Sequence, residues 1–313
     1  MRVIVTGGAG FIGSAVTFAL LGIGHDVLVI DDLSTGSVEN LDPRAGFRQL
    51  DILDQALASE FAAFRPDAVV HLAAQASVSV SIADPERDRA VNAEGTRFVA
   101  AAARDAGAKR VLSASSAAVY GEPEVLPLVE AARKEPTNPY GASKLEAEGL
   151  IAEELRDTGT DFASFRFSNV YGPRQDAGGE GGVVAIFCDR LRREEPPVVF
   201  GDGSQTRDFI FVGDIVSAVL GALESEGALA GEGADGPAYN ISTGQRSSVE
   251  ELLMALRVAA SYFGPAEYVD ARPGDIVHSV LDPGKAASVF GWSSRVGLEA
   301  GLGMTWRWFS SRA

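Results

Sequence analysis

The chain has one cysteine, Cys188, in 313 residues. No intramolecular disulfide can form, and no thiolate cluster can hold a metal. Histidine is nearly as scarce: His25, His71 and His278 lie far apart, without the spacing of metal ligands, so each is expected to be structural. No apolar run reaches the length of a membrane span, and no charged, apolar and cleavable leader precedes the first strand, so a cytoplasmic location is expected. Positive charge is short as well. The 27 Lys and Arg against 43 Asp and Glu leave a formal net charge of -16, which argues against a partner bound by concentrated basic charge, nucleic acid above all. An anionic small molecule stays open, because screening acts over roughly 8 Å at physiological salt and a buried pair of arginines can hold a diphosphate in an acidic protein. What is present, 46% hydrophobic and 22% charged, is the composition of an ordinary soluble globular protein.

The most informative stretch is the first. An apolar strand, Arg2-Val3-Ile4-Val5-Thr6, runs straight into Gly7, Gly10 and Gly13. Glycines allow a tight turn and a close approach to a pyrophosphate, and a helix that follows aims its unpaired N–H groups and positive dipole end at the phosphates. Phe11, Ile12, Ala15, Val16, Ala19, Leu20 and Ile23 recur at helical period, and a second apolar strand follows at 27–30, ending on Asp31. The glycine spacing differs from G-x-G-x-x-G, but strand, turn, helix, strand and acid arrive in order within about 30 residues, the unit that binds a dinucleotide and its adenosine ribose. Asp31 is read as the acceptor of both ribose hydroxyls, against the plainer reading of a solvated turn acid. Asp32 doubles the charge, and no Lys or Arg lies between Asp31 and Glu39. An added 2'-phosphate about 4 Å away would be repelled by on the order of 4 kcal/mol, so NAD is expected over NADP.

The alternation continues: a strand at 47–50, a helix at 54–64, a strand at 68–72, a helix at 85–106, a strand at 110–113, a helix at 139–156 and a strand at 162–167. This order predicts an α/β fold, a Rossmann-type doubly wound parallel sheet with ligands at the carboxyl ends of its strands. Near Pro173 the pattern changes, so the expected organisation is an NAD-binding domain over 1–172 and a smaller mixed α/β substrate domain over 173–313. Strands at 209–212 and 239–241 are expected to be able to return to the first sheet.

Tyr140 and Lys144 lie four apart in Asn-Pro-Tyr-Gly-Ala-Ser-Lys, where Pro139 opens a helix and places both side chains on one face. An ammonium and a cationic nicotinamide nearby would favour the phenolate and make Tyr140 a general base. Alone, Y-x-x-x-K is common in amphipathic helices; behind a glycine cradle it is specific. Upstream, the strand ending Ser113-Ala114-Ser115-Ser116 offers a hydroxyl to a substrate oxygen, or is simply a serine-rich junction.

Together these residues resemble an extended short-chain dehydrogenase/reductase, most closely the UDP-glucose (UDP-galactose) 4-epimerase group. The likeness runs nearly end to end, through Asp31-Asp32-Leu33-Ser34-Thr35-Gly36, His71-Leu72-Ala73-Ala74-Gln75-Ala76-Ser77-Val78, Asn169-Val170-Tyr171-Gly172-Pro173-Arg174-Gln175, Arg207-Asp208-Phe209 and Arg272-Pro273-Gly274-Asp275. The resemblance implies that Gly7, Gly10, Phe11, Ile12 and Gly13 hold the pyrophosphate, Asp31 and Asp32 the ribose end, and Asp51 and Ile52 the adenine. It implies that Leu72, Ala73, Ala74, Gln75 and Asn92 line the cofactor, that Lys144 holds the nicotinamide ribose and that Tyr140 is the base. Either Ser116 or Ser115 is the catalytic hydroxyl, with Ser116 preferred. Asn169, Val183, Arg207, Arg272, Asp275 and Ser279 contact the substrate, the two arginines neutralising its diphosphate.

Related dehydratases and decarboxylases carry acids just before the Val-Tyr-Gly segment, where this chain has Ala117 and Ala118. Elimination then lacks its proton shuttle, whereas oxidation and re-reduction at one carbon does not need one, and C4 epimerisation of a UDP-hexose is expected. Ser279 stands where some relatives have a bulky tyrosine, leaving room for UDP-N-acetylglucosamine; UDP-glucuronate and a keto-sugar reductase activity are the alternatives, and a non-catalytic dinucleotide sensor would have little use for the Tyr140/Lys144 pair. The resemblance also implies a homodimer built on the helices at 85–106 and 139–156.

Overall fold

A computed structural model describes residues 1–178, 182–231, 236–271 and 276–312. The chain begins with β1 (Arg2–Thr6), α1 (Phe11–Gly22), β2 (Asp26–Asp31), β3 (Gly46–Gln49), α2 (Leu57–Phe64) and β4 (Ala68–His71). Helices α3 (Val78–Ala83) and α4 (Pro85–Arg89), a π-helical turn (Ala90–Glu94) and α5 (Gly95–Asp105) lead to β5 (Arg110–Ser116). A 3-10 turn (Ala117–Tyr120), α6 (Pro139–Leu155), β6 (Asp161–Phe167) and β7 (Asn169–Tyr171) follow. The rest consists of α7 (Val183–Arg192), β8 (Val198–Phe200), β9 (Thr206–Arg207), β10 (Phe209–Phe211), α8 (Val212–Glu224) and β11 (Ala238–Ile241). Last come β12 (Ser247–Ser248), α9 (Val249–Ala260), β13 (Glu267–Val269), α10 (Gly284–Phe290) and α11 (Leu298–Ser310).

Seven strands form one parallel sheet in the order β11-β6-β5-β4-β1-β2-β3. Period-two alternation sends successive side chains to opposite faces. Val3, Val5, Val27 and Val29 enter a core on one side with Val16 and Leu20 of α1 and Ile215 and Val219 of α8. Ile4, Leu28 and Ile30 enter another on the far side with Phe61 of α2, Val99 of α5 and Ile151 of α6. Both faces are covered, as an all-parallel sheet requires. The order reverses between β1 and β4, and a crevice at that point is where such sheets bind ligands. A third core joins Phe187 and Leu191 of α7, Leu252 and Leu256 of α9 and Leu302 and Phe309 of α11.

Several boundaries differ from the sequence reading. The single helix expected at 85–106 is α4, the π-helical turn and α5 in succession. Helix α3 lies in Val-Ser-Val-Ser-Ile-Ala, whose alternation hides it; Ser77 caps it by accepting from the Val80 N–H at 3.1 Å. Helix α2 starts at Leu57 because 54–56 is a turn closed by the Asp54 carboxylate on the Ala56 N–H. Of the two segments expected to return, 238–241 forms β11 beside β6, while β10 pairs with β7 in a separate two-stranded ribbon.

Candidate active site

The turn after β1 is fixed by backbone crowding. Gly7 has φ +70, and a Cβ there would lie 2.6 Å from the Ala73 nitrogen. A Cβ on Gly13 would lie 2.1 Å from the Gly7 carbonyl oxygen. Only glycine at both positions lets the turn fold against α1 and against the 72–73 segment. No side chain caps α1 at Gly10, so the first-turn N–H groups of Phe11, Ile12 and Gly13 are presented by a helix N-terminus suited to an anion. Asp31 closes the cradle: its carboxylate accepts from the Ala9 N–H at 2.9 Å and the Leu33 N–H at 2.8 Å. Burial raises its pKa, against the lowering effect of those two bonds. A carboxylate can accept further bonds beyond these two. Asp32 accepts from the Ser34 N–H and hydroxyl. The site thus fits a dinucleotide: a cradle that a Cβ would fill, a helix N-terminus and a buried acid at the end of β2.

The wall opposite is 72–75. Leu72, Ala73, Ala74 and Gln75 leave β4 half-buried, the Leu72 N–H bound to the Thr6 carbonyl. Asn92 is fully buried in the π-helical turn, and its amide is committed. Its Oδ1 accepts from the Gln75 N–H, and its Nδ2 donates to the Gln75 carbonyl, the Asp88 carboxylate and Ser143 of α6. It therefore bears on the cradle through the Gln75 backbone. Asp51 accepts from the Leu53 N–H and pairs with Arg87 at 3.6 Å, and Ile52 is buried against Gly95.

Helix α6 starts with Asn138, whose side chain accepts from the Gly141 N–H, and Pro139 in the first turn. A Cβ on Gly141 would lie 2.5 Å from the Ala118 carbonyl oxygen, so the helix is pressed onto the turn after β5. This contact brings Tyr140 to Ser116, whose hydroxyl acts on the phenol. Ser115, expected as the alternative, points elsewhere: its hydroxyl donates to Glu148 at 2.5 Å. Lys144 is 4% exposed and donates to the Ala114 carbonyl at 3.1 Å. Burial lowers its pKa to about 8, with Asp88 and Glu148 opposing. Tyr140 departs from expectation. Burial raises its pKa, the Ser116 hydroxyl lowers it and the Asp88 charge raises it again, so the net shift favours the neutral phenol. The anticipated lowering by Lys144 is not seen, because that ammonium is turned to β5.

The expected substrate residues lie beyond β6. Asn169, exposed on β7, is in register with Phe209, and its N–H donates to the Asp208 carbonyl. Arg207 donates to the carbonyls of Thr206 at 3.0 Å and Val277 at 3.3 Å, and the Ser279 N–H donates to the Thr206 carbonyl. Asn169, Arg207 and Ser279 are thus gathered along 206–209. Buried Asp208 fixes that segment by accepting from the N–H groups of Thr243 and Gly244 and from the Thr243 hydroxyl. Val183 opens α7 and packs on the core shared by Tyr171 and Phe209. Arg272 and Asp275 lie outside the described residues.

Residues 3–242 match the NAD dependent epimerase/dehydratase family. The chain belongs to that family. It is 40% identical to a UDP-glucose 4-epimerase of Mycolicibacterium smegmatis over the whole of both chains. A crystal structure of UDP-glucose 4-epimerase from Thermotoga maritima with UDP-glucose is 39% identical and superposes with a TM-score of 0.93, over 99% of each chain. The Thermus thermophilus UDP-glucose 4-epimerase complex with NAD is also 39% identical, with a TM-score of 0.90 over 100% of each. A UDP-N-acetylglucosamine 4-epimerase from Methanobrevibacter ruminantium, at 33% identity, has a TM-score of 0.92 over 100% of this chain and 99% of that one.

Beside Tyr140 and Lys144, the structure reveals residues that sequence reasoning missed. Glu148 receives a two-point ion pair from Arg166 of β6, which also donates to the Tyr120 hydroxyl and the Glu130 carbonyl. Glu148 had a signal: it continues the four-residue spacing of Tyr140 and Lys144 along one helix face. Arg166 had none, being one charge within an apolar strand. Asp88, 1% exposed on α4, was also missed.

Proposed function

We propose that this protein is an NAD-dependent UDP-sugar 4-epimerase, acting on UDP-glucose and UDP-galactose through a transient 4-keto sugar. One observation carries the reading: Tyr140, Ser116 and Lys144 are packed at the carboxyl end of β5, beside a glycine cradle, next to a turn whose Ala117 and Ala118 offer no carboxylate. NAD, when bound, supplies a reversible hydride acceptor for C4. Gly7, Gly10, Phe11, Ile12 and Gly13 would hold its pyrophosphate, Asp31 its ribose and Lys144 the nicotinamide ribose. Tyr140 takes the proton of the C4 hydroxyl as hydride leaves C4, Ser116 bonds the same oxygen, and both reverse their roles when hydride returns to the other face of the sugar. The buried Tyr140 must be deprotonated to act, and a cationic ring beside it favours that. Asn169, Arg207 and Arg272 hold the diphosphate, and Asp275 the uridine ribose.

Ser279, small and half-buried beside 206–207, favours a second substrate, UDP-N-acetylglucosamine, whose acetamido group needs space. The working unit we infer is a cytoplasmic homodimer with its cofactor domain over 1–172 and its substrate domain over 173–313. No helix among the described residues is long and apolar enough to cross a membrane. The test is incubation of purified protein, without added cofactor, with UDP-glucose, UDP-N-acetylglucosamine and UDP-glucuronate separately, and NMR of the products. A 4-epimer from the first supports the reading. No change in any of the three overturns it and leaves a keto-sugar reductase as the better account.

A further inference from the structure

Asp88 is a buried carboxylate that the proposed chemistry leaves without a task. Its Oδ1 accepts from Gln75 Nε2 at 2.7 Å and Asn92 Nδ2 at 3.1 Å. Its Oδ2 is shut off from solvent and has no hydrogen-bond partner among the described residues. A half-satisfied buried carboxylate is costly unless a nearby positive charge offsets it. The two arginines that flank it in sequence are engaged elsewhere, Arg87 with Asp51 and Arg89 with Glu94 and Glu146. The cation whose ionisation it supports is the buried ammonium of Lys144.

We propose that Asp88 is a positioning residue for the reaction: from α4 it braces Gln75 and Asn92, and through Asn92 the Ser143 of α6, and its buried, half-satisfied carboxylate is the fixed negative charge against which the ammonium of the next residue, Lys144, is held. The groups around Lys144 support this assignment. His71 of β4 is buried and neutral, lying between Thr6 and Thr96. Ala114 of β5 presents a carbonyl, and Tyr140 precedes Lys144 by one turn of α6. Glu148, one turn after it, also acts on Lys144, but its carboxylate is already shared by Arg166 and Ser115. Asp88 has no such cation of its own, and it is the larger of the two influences holding Lys144 protonated against burial. The same charge raises the Tyr140 phenol. Removing it therefore eases deprotonation of both groups.

This inference rests on the epimerase reading for its catalytic meaning, and its test has one arm that does not. The chain has four lysines, Lys109, Lys134, Lys144 and Lys285. Nζ signals of 15N-lysine-labelled protein are therefore few, and Lys144→Arg assigns the one of interest. Asp88→Asn keeps an oxygen for Gln75 and Asn92 and deletes the charge. The Lys144 midpoint is expected to fall by about one pH unit, a tenfold loss of proton affinity, and Asp88→Glu is expected to restore most of it. In the activity arm, both limbs of the pH profile of turnover move toward acid in Asp88→Asn. If that variant does not fold, Asp88→Ser takes its place in the titration. An unchanged Lys144 midpoint overturns the proposal. A wild-type protein that turns over no UDP-sugar overturns the epimerase reading alone, since the NMR titration still reads the charge coupling.

Discussion

Ser115 and Ser116 are neighbours on one strand, yet the pleat turns them to opposite sides, and the two hydroxyls belong to different systems. Ser116→Ala is expected to lower turnover about a hundredfold, the scale of losing one donor to a developing oxyanion, with thermal stability little changed. Ser115→Ala should leave turnover within a few-fold of wild type and cost about 1–2 kcal/mol in urea unfolding, because Glu148 loses a hydrogen bond. Parallel kinetics and denaturation curves on the pair check this, and equal losses of turnover would remove Ser116 from the catalytic role. Tyr140→Phe should abolish turnover while retaining NAD, measured by releasing nucleotide from the purified variant. His71 has a different effect. Burial lowers its pKa to about 3, so between roughly pH 3 and 6.5 the unfolded chain binds a proton there that the folded chain refuses. The stability from this residue is whole above pH 6.5 and declines as pH falls, by at most about 1.4 kcal/mol per unit. Urea midpoints at pH 7 and pH 5 should differ less in His71→Gln than in the wild type.

Among the elements, those with a regular period could be read directly from the residues. Strand β1, α1 and β2 announce themselves by alternation, helical spacing and glycine, and α6 by its proline and capping asparagine. The π-helical turn could not be read that way, because Ala90–Glu94 differs from an α-helix by a single inserted step that leaves the apolar pattern intact. Its consequence is three-dimensional: it puts Asn92 where its amide reaches Gln75, Asp88 and Ser143 together. Arg166 was hidden for a related reason, since its partners Glu148, Tyr120 and Glu130 converge only after β6 lies beside β5. Arg166→Met is expected to cost about 3–5 kcal/mol, because it strands Glu148 in the interior, whereas replacing both partners with apolar residues should cost much less. Urea unfolding of the single and double variants decides between these outcomes. Gly13→Ala sets a Cβ against the Gly7 backbone, which cannot swing away as a side chain would. A loss of about 3 kcal/mol or more, with nucleotide no longer retained, is expected.

For the molecule as a whole, the doubly wound sheet was legible because each βα unit carries its own pattern, and the site's motifs were legible because they are short and local. The part after β6 was less so, since its ribbons are two or three residues long and its pairings, β7 with β10 and β9 with β12, join distant segments. One strand ties the later part of the chain to the large sheet. The chain leaves the large sheet at β6, builds α7 and α8, and only then returns as β11, where Tyr239 meets Phe165 edge-on at 6.3 Å and Phe290 of α10 stacks on the same ring at 6.0 Å. During synthesis, then, β6 emerges from the ribosome with one edge unpaired and its aromatic face bare, and must wait for some seventy further residues before it is covered. The protein is therefore a poor source of interchangeable parts: a fragment cut at residue 172 and grafted to another chain would carry an open, sticky strand edge unless the new partner brought its own closing strand.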